Sequence, residues 1–246
     1  MPGEYDILFQ TEHAAGKEKA VKELCEAYFL PAFESLKEVM NYDNKERKNP
    51  LDRHSFYKPC RKFILQEYGI LKGCRIWEEA GEELSRMTAQ NPKLEEHNGA
   101  MVVPAVALYK TLEAHGQDAE RVLNSFGDQM GERFAKIVHG ITSIPGADKL
   151  IWNNVDRIMH FMSGPGFGYE RRIVSEPPKM FGVDILSCPF HELAKELGSE
   201  KAVLCICHMD KRYMQGFHHI RYERSTAVSE GAACCDYRLQ YDVSKK

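Results

Sequence analysis

The chain has 246 residues, an apolar fraction of 43% and a formal net charge of −3. This length and composition are sufficient for a full core, built as one large domain or as a helical domain beside an α+β domain. The nearly balanced charge, without a basic block, argues against a nucleic-acid partner.

The sequence also contains no pattern for insertion into, or passage across, a membrane. No apolar run reaches the roughly twenty residues that a membrane-spanning helix requires, so no membrane partner is expected. The amino terminus lacks the charged start and apolar stretch of a secretory signal. We therefore expect a cytoplasmic location, where thiols are normally reduced.

Helical periodicity dominates the first two thirds of the chain. Helices are predicted over 14–39, with a kink at Pro31, and over 55–69, 75–89, 102–114, 118–140 and 147–162. The run Ser163-Gly-Pro-Gly-Phe-Gly168 then predicts a linker, because glycine and proline interrupt regular structure.

Beyond this linker the pattern changes to short strands. Strands are predicted over 169–175, 180–187, 217–228 and 233–243, with a short helix over 189–197. The segment 200–213 fits either a helix or a strand. The fold class is therefore predicted as α+β, with a helical region over 1–165 packed on a region over 166–246 that contains a small antiparallel sheet. The two regions could also form one integrated domain.

The residues best suited to chemistry are concentrated near the carboxyl end. Five of the eight cysteines and four of the ten histidines lie in the last quarter of the chain. Thiols and imidazoles serve as nucleophiles, proton carriers and metal ligands near neutral pH. The functional site is therefore predicted in this region, between the helices and the sheet.

Cys188 lies where a predicted strand gives way to a helix, with Pro189 at the first helical position. A thiol at a helix amino terminus experiences the positive end of the helix dipole, which favours thiolate. His191 follows one turn later on the same face. Cys188 and His191 are thus candidate catalytic residues, and the alternative is a small buried cysteine beside a capping histidine.

Cys207-His208-Met209-Asp210 supplies a thiol, an imidazole and a carboxylate within four residues. A carboxylate raises the pKa of a nearby thiol unless a cation intervenes. Cys207 and Asp210 therefore suit a histidine-orienting or metal-binding role better than activation of the thiol alone. The alternative is a core cysteine with a surface aspartate.

The predicted strand over 217–228 is unusually polar. Its alternation places His218, Arg224 and Thr226 on one face and Arg221 on the other. Arg221 or Arg224 could bind a substrate carboxylate through two parallel hydrogen bonds. An exposed sheet face would show the same pattern.

A metal site is a further expectation. Cys188, Cys207 and Cys235 could converge in space on one metal ion such as zinc, with a histidine as the fourth ligand. No C-x-x-C pair supports this site, so the spacing alone leaves the cofactor open between none and a single divalent metal.

The order of these short motifs resembles the L-2-amino-thiazoline-4-carboxylic acid hydrolase family. The resemblance covers roughly residues 100 to 241. It depends on these segments: Ala107-Leu-x-x-Thr-Leu112, Cys188-Pro-Phe-His191, Cys207-x-x-Asp210, Arg224-x-Thr226 and Glu230-Gly-x-x-x-Cys235-Asp236-Tyr237-Arg238. The resemblance implies hydrolytic opening of a 2-amino-thiazoline ring to a carbamoyl-cysteine product.

Residue roles follow from combining this resemblance with the chemistry above. We expect a C–N or C–S bond of a small, polar, carboxylate-bearing substrate to be cleaved by a cysteine nucleophile or by metal-activated water. The proton would be carried by His191 or by one of His208, His218 and His219. The predicted catalytic residues are Cys188, His191, Cys207 and Asp210, and the predicted substrate-binding residues are Arg224, Thr226, His218 and Asp236.

A different class of function remains open. The ending Glu-Gly-x-x-x-Cys-Asp-Tyr is also similar to that of 4-vinyl reductase-type small-molecule-binding domains, which are sensors. An enzyme needs a nucleophile or metal at a polar cavity, whereas a sensor needs a mostly apolar cavity and an output domain. No separate output domain is visible, which favours the enzyme. The sequence also leaves open whether the chain forms a homo-oligomer.

Overall fold

Helices form the first part of the described chain. The computed structural model describes residues 49–95 and 98–245, so the predicted helix over 14–39 lies outside the described residues. The helices before the sheet are α1 (Lys58–Tyr68), α2 (Ile70–Gln90), α3 (Gly99–Ala114), α4 (Ala119–Thr142), α5 (Ala147–Trp152) and α6 (Val155–Met162). None of these described helices, nor any later one, is both long and apolar enough to span a membrane.

The prediction of one continuous helix over 147–162 was wrong. The helix is interrupted at Asn153 and Asn154, between α5 and α6. The Asn154 side chain donates a hydrogen bond of 2.8 Å to the Leu150 carbonyl oxygen. Asparagine side chains compete in this way for backbone groups, which favours turns over helix interiors.

The carboxyl-terminal part contains a four-stranded antiparallel sheet, as predicted. Its strands are β1 (Glu170–Ser175), β2 (Phe181–Ser187), β3 (Ile220–Glu223) and β4 (Cys235–Tyr241), in the spatial order β1-β2-β4-β3. Two helices separate β2 from β3: α7 (Pro189–Glu196) and α8 (Leu204–Met214). The ambiguous segment 200–213 is therefore helical, and a 3-10 turn at Glu200–Val203 precedes α8. The fold is α+β.

Strand β3 is shorter than the predicted strand over 217–228. Ile220 and Tyr222 are buried while Arg221 and Glu223 are exposed, so the predicted alternation is confirmed within the strand. Ser225 and Thr226 lie beyond its end. They leave the ladder because their backbone N–H groups donate to the Asp236 side chain, at 2.8 and 2.7 Å, rather than to a strand carbonyl.

The helical core contains side chains from both regions of the chain. Trp77, Tyr57 and Phe126 are its largest fully buried members. Ala194 of α7 and Cys205 of α8 belong to the same cluster. The described residues thus form one compact unit. A domain boundary near residue 165 stays a prediction.

Helix α8 packs closely along α4. Glycines allow this approach: a Cβ atom at Gly127 would collide with the backbone carbonyl of Cys205. At Gly131 it would lie 2.6 Å from the Met209 carbonyl oxygen. Small residues at a helix crossing permit backbone-to-backbone approach, so α4 determines the position of α8 beside the sheet.

The two faces of the sheet differ in chemistry. One face packs an apolar cluster that includes Phe181, Val183 and Leu239. On the other face the buried Asp184 pairs with Arg172 and Arg238, each at 2.7 Å. Only the first face is directed toward the interior and is available to line a site inside the molecule.

Candidate functional site

Polar side chains of β3, β4 and α8 meet at the inner face of the sheet. Arg224, just past the end of β3, donates to the Asp210 carboxylate at 3.0 Å and to the Tyr237 hydroxyl at 3.1 Å. It also donates to the Cys207 carbonyl oxygen at 2.9 Å. Tyr237 of β4 donates to the same Asp210 oxygen at 2.7 Å. One hydrogen-bonded network therefore links Arg224, Asp210, Tyr237 and the backbone of Cys207.

Arg224 is itself almost fully enclosed. Its side chain is 5% exposed, whereas that of Asp210 is 23% exposed. The pKa of the guanidinium is raised despite the opposing effect of burial, because Tyr237, Tyr222 and Asp210 surround it. A buried cation that is already paired with a carboxylate anchors the site. Arg224 can therefore bind a substrate carboxylate only by sharing its donors with Asp210.

Asp210 has a mixed environment. Burial raises the pKa of its carboxyl, while Arg224 and the Tyr237 hydroxyl act in the opposite direction. A raised carboxyl pKa suits a group that accepts and returns a proton. Asp210 pairs with Arg224 and Tyr237, so the predicted contact with an orienting histidine is replaced by these two partners.

Three thiols lie near this network. Cys188 and Cys235 pack in the same apolar cluster as Tyr237, and the Cys235 sulfur accepts a hydrogen bond of 3.2 Å from the Val228 N–H. The Cys207 sulfur makes a hydrogen bond of 3.2 Å with the Ser229 hydroxyl. The structure therefore brings together the three cysteines that the sequence separates by up to 47 positions, from 188 to 235.

These thiols are protonated at neutral pH. Burial raises the pKa of Cys207 to about 12 and that of Cys235 to about 11. Burial also raises the pKa of Cys188, but the backbone N–H groups of His191 and Phe190 oppose this effect. Cys188 is the N-cap residue of α7. It is therefore the thiol whose surroundings most favour thiolate.

The network is half-buried. Burial raises the pKa of the Tyr213 and Tyr237 hydroxyls. Both residues nevertheless keep part of their accessible surface, as do Cys207 and Asp210. We call this half-buried, partly accessible region the recess. Tyr169, whose pKa is raised by burial and by Cys188, lies at the same recess.

His191, the predicted proton carrier, lies near Cys188 in the chain. It lies in the first turn of α7, three residues after Cys188. Its Nδ1 atom is buried and finds no hydrogen-bond partner among the residues that the structure describes. A buried polar atom without a partner is costly and indicates a functional or ligand-dependent role.

Thr226 and Asp236 lie at the recess only indirectly. Asp236 lies between Cys235 and Tyr237 on β4, so its side chain is on the opposite face of the sheet from theirs. Although burial opposes it, hydrogen bonds from Ser225 and Thr226 lower the pKa of Asp236 to about 2. These bonds fix the chain just after Arg224. Asp236 and Thr226 are therefore placed to position Arg224 rather than to contact a substrate.

His218 is not part of this network. It lies before the start of β3, whereas Arg224 lies after its end, and its neighbours are His139 and His219. His208 is also directed elsewhere, because its Nδ1 lies 3.3 Å from Asp128 of α4. The predicted substrate-binding role of His218 at the cysteine site thus finds no support in its position.

Candidate metal ligands come closest together at a different place from the predicted cysteine site. Within the described residues, the one group of three candidate ligands whose atoms all lie within 4.8 Å of one another is Asp148, His218 and His219. Cys188, Cys207 and Cys235 do not form such a group. The donor chemistry would suit zinc, but the spacing is too wide.

Tyr237 belongs to the network although its residue type and spacing did not predict a role for it. It belongs to the Asp236-Tyr237-Arg238 motif, and strand alternation places it on the same face as Cys235. This alternation could have identified Tyr237 from the sequence. The contact with Asp210 was not foreseeable, because it depends on how α8 lies across β4.

Alkylation can test the state of the thiols. Because only thiolate reacts, a thiol with a pKa of about 11 or 12 reacts at least about 100-fold more slowly at pH 7.5 than a free cysteine, whose pKa is about 8.5. We expect this slow rate at Cys207 and Cys235 when the folded protein is treated with iodoacetamide. Peptide mass spectrometry gives the rate at each cysteine, and the urea-unfolded chain serves as control. Equal rates in both states at these two positions would contradict the assignment.

Comparisons with known proteins agree with part of this description. The family model for L-2-amino-thiazoline-4-carboxylic acid hydrolase matches residues 95–239. No curated protein sequence matches the chain.

Solved structures show only a distant likeness. An H-NOX protein from S. oneidensis in the Fe(II)NO ligation state is 11% identical, over 75% of this chain and 96% of that chain, with a TM-score of 0.37. An unliganded Fe(II) H-NOX protein from K. algicida is 10% identical, over 76% and 95%, with a TM-score of 0.30. These values are too low to support an argument.

The family match is more informative because the matched segment includes the candidate site. The segment 95–239 is more than half of the chain, and it includes every residue of the network around Asp210. The chain therefore belongs to the L-2-amino-thiazoline-4-carboxylic acid hydrolase family.

Proposed function

We propose that this protein is a hydrolase that cleaves a C–N or C–S bond at an amidine-like or carbonyl-like carbon of a small, polar, carboxylate-bearing substrate. Family membership supports the hydrolase class. The observation that carries the proposal is the half-buried network of Arg224, Asp210 and Tyr237, which lies beside the thiols of Cys188, Cys207 and Cys235.

Cys188 is the proposed nucleophile. Its position at the amino terminus of α7 directs two backbone N–H groups toward its thiol, which favours the thiolate and can also stabilise negative charge on the substrate. The Cys188 sulfur forms a bond to the electrophilic carbon, and the thiol proton moves to His191. The ring C–N or C–S bond then breaks, and the leaving atom takes this proton.

Water completes the reaction. It adds to the carbon of the thio-intermediate, the C–S bond to Cys188 breaks, and the sulfur regains a proton. Asp210 is proposed to accept and return a proton in this second step, because its carboxyl has a raised pKa and a direct donor in Tyr237. Arg224 keeps Asp210 in place and shares a donor with the substrate carboxylate.

The proposal predicts a large loss of activity when the nucleophile is removed. With 2-amino-thiazoline-4-carboxylate as the first substrate, Cys188→Ser should lower kcat at least about 100-fold, since the serine hydroxyl is a far weaker nucleophile here. Product formation is measured by chromatography, and the thio-intermediate by intact mass. Metal content should not change.

Cys74→Ser is the matched control, because Cys74 is half-buried in α2 and remote from the network. Its kcat should equal that of the unmodified chain. Full activity in Cys188→Ser would overturn the role of this thiol. A joint loss of activity and bound metal would instead support metal-activated water.

A second candidate function is small-molecule binding without turnover, as in a sensor. The neutral thiols and the preformed Arg224–Asp210 pair favour it, because both are stable resting arrangements. The aromatic residues Tyr169, Tyr213 and Tyr237 would supply binding surface. Saturable binding of a substrate analogue without product formation would support this candidate against hydrolysis.

A further inference from the structure

A second polar cluster lies outside the recess, at the opposite end of β3. The Asp148 carboxylate of α5 accepts hydrogen bonds of 2.7 Å from both His219 Nδ1 and the Tyr241 hydroxyl. The His218 ring stacks against that of His219, with centroids 3.7 Å apart. The proposed hydrolase mechanism uses none of these groups.

The backbone holds the two histidines in an unusual arrangement. Successive side chains of an extended strand point to opposite faces. His219 departs from this geometry with a φ of 57°, in the left-handed region that is uncommon for residues other than glycine. This conformation lets adjacent imidazoles stand side by side. Unfavourable backbone conformations persist where the surroundings enforce them, and they cluster at ligand sites.

Neighbouring elements fix the arrangement on several sides. The His218 backbone N–H donates to the Thr142 hydroxyl at the end of α4, at 2.9 Å. The His219 backbone donates to the Lys245 carbonyl and accepts from the Asp242 N–H. Such anchors pre-organise the imidazoles and lower the entropy that a ligand must remove on binding.

We propose that Asp148, His218 and His219 form a binding site for a divalent transition-metal ion of the zinc class. One ligand atom from each residue lies within 4.8 Å of the other two. A tetrahedral zinc ion at 2.0–2.1 Å from its ligands separates them by roughly 3.3 Å, so the side chains must rotate and the ion replaces the hydrogen bond between His219 and Asp148. Two imidazoles and one carboxylate leave the fourth position for water or an anion.

The site has one opposing charge and one neighbouring donor. The Lys245 ammonium is the opposing charge, but it donates to the backbone carbonyls of Gln215, Phe217 and Ile220 and is held there. Tyr241 keeps its hydroxyl on Asp148 and can orient the carboxylate from outside the metal shell, as partners of metal ligands commonly do.

The test uses the full chain, freed of metal with a chelator, and Zn²⁺ alone as the ligand. We expect one Zn²⁺ per chain by calorimetry and elemental analysis. His218→Ala and His219→Ala should each weaken binding at least about 100-fold. His115→Ala is the control, because His115 also pairs with a carboxylate, Glu79 at 2.7 Å, but lies at a distant surface.

Cobalt distinguishes this site from the cysteines. Co²⁺ bound by nitrogen and oxygen shows weak visible bands, whereas thiolate ligands add an intense near-ultraviolet charge-transfer band. We expect the first spectrum, unchanged in Cys188→Ser. A thiolate band, unaltered Zn²⁺ affinity in both histidine variants, or no binding would each overturn the proposal. The spectrum of the unmodified chain decides the matter even if a variant fails to fold.

Discussion

Arg224→Met should lower the free energy of unfolding by about 3 kcal/mol, because it removes the cation from a buried ion pair. The Asp210 carboxylate would keep only the Tyr237 hydroxyl as a partner. Breaking a buried pair costs about 3–5 kcal/mol, and the lower end applies since Asp210 is 23% exposed. Urea denaturation monitored by circular dichroism measures the loss.

Arg221→Met is the matched control. Arg221 lies on β3, three residues before Arg224, and also pairs with an aspartate, Asp242, but its side chain is 51% exposed. The same substitution there should cost no more than about 1 kcal/mol, because exposed ion pairs contribute little. Equal losses in both variants would mean that Arg224 acts through something other than its buried charge.

The pH dependence of this loss has a definite sign. Without Arg224, the pKa of Asp210 in the folded state rises further above that of the unfolded chain, because the opposing cation is gone. The folded state then binds more protons, so stability falls as pH rises between the two values. The deficit of Arg224→Met relative to the unmodified chain should therefore shrink as pH falls from 7 toward 4.

Local patterns were sufficient to predict most elements of this fold. A glycine, a proline or a change of period marks the element ends that were predicted. Examples are the helix that ends before Gly116, the strand that ends before Cys188 and the helix that begins at Pro189. The break at Asn153 was missed because neither glycine nor proline marks it. Beyond residue 223, the Asp236 side chain overrides the strand alternation.

For the candidate site, only the types of reactive residue were predictable from the sequence. Cys188, Cys207 and Asp210 could be selected as reactive types, but their proximity depends on β2 pairing with β4 and on α8 crossing that sheet. Such long-range pairing is not encoded in any local period. The left-handed backbone of His219, beside which the His218 and His219 rings adjoin, also had no signal in the sequence.

Gly127→Ala should destabilise the fold by about 3 kcal/mol, although alanine is normally the better helix former. An added Cβ would meet the Cys205 carbonyl of α8, and a backbone atom can yield only if the whole helix moves. Overpacking of this kind costs about 1–3 kcal/mol, with the upper end expected for a rigid neighbour. Thermal and urea unfolding measure the change.

Gly140→Ala provides a control in the same helix α4. Nothing lies within 4 Å of a Cβ at Gly140, so the helix preference of alanine should stabilise the protein by about 0.5–1 kcal/mol. The two substitutions are chemically identical and should have opposite signs. If both stabilise, α4 and α8 do not approach as closely as described. Because α8 also carries Cys207 and Asp210, Gly127→Ala should accelerate alkylation of Cys207, whereas Gly140→Ala should not.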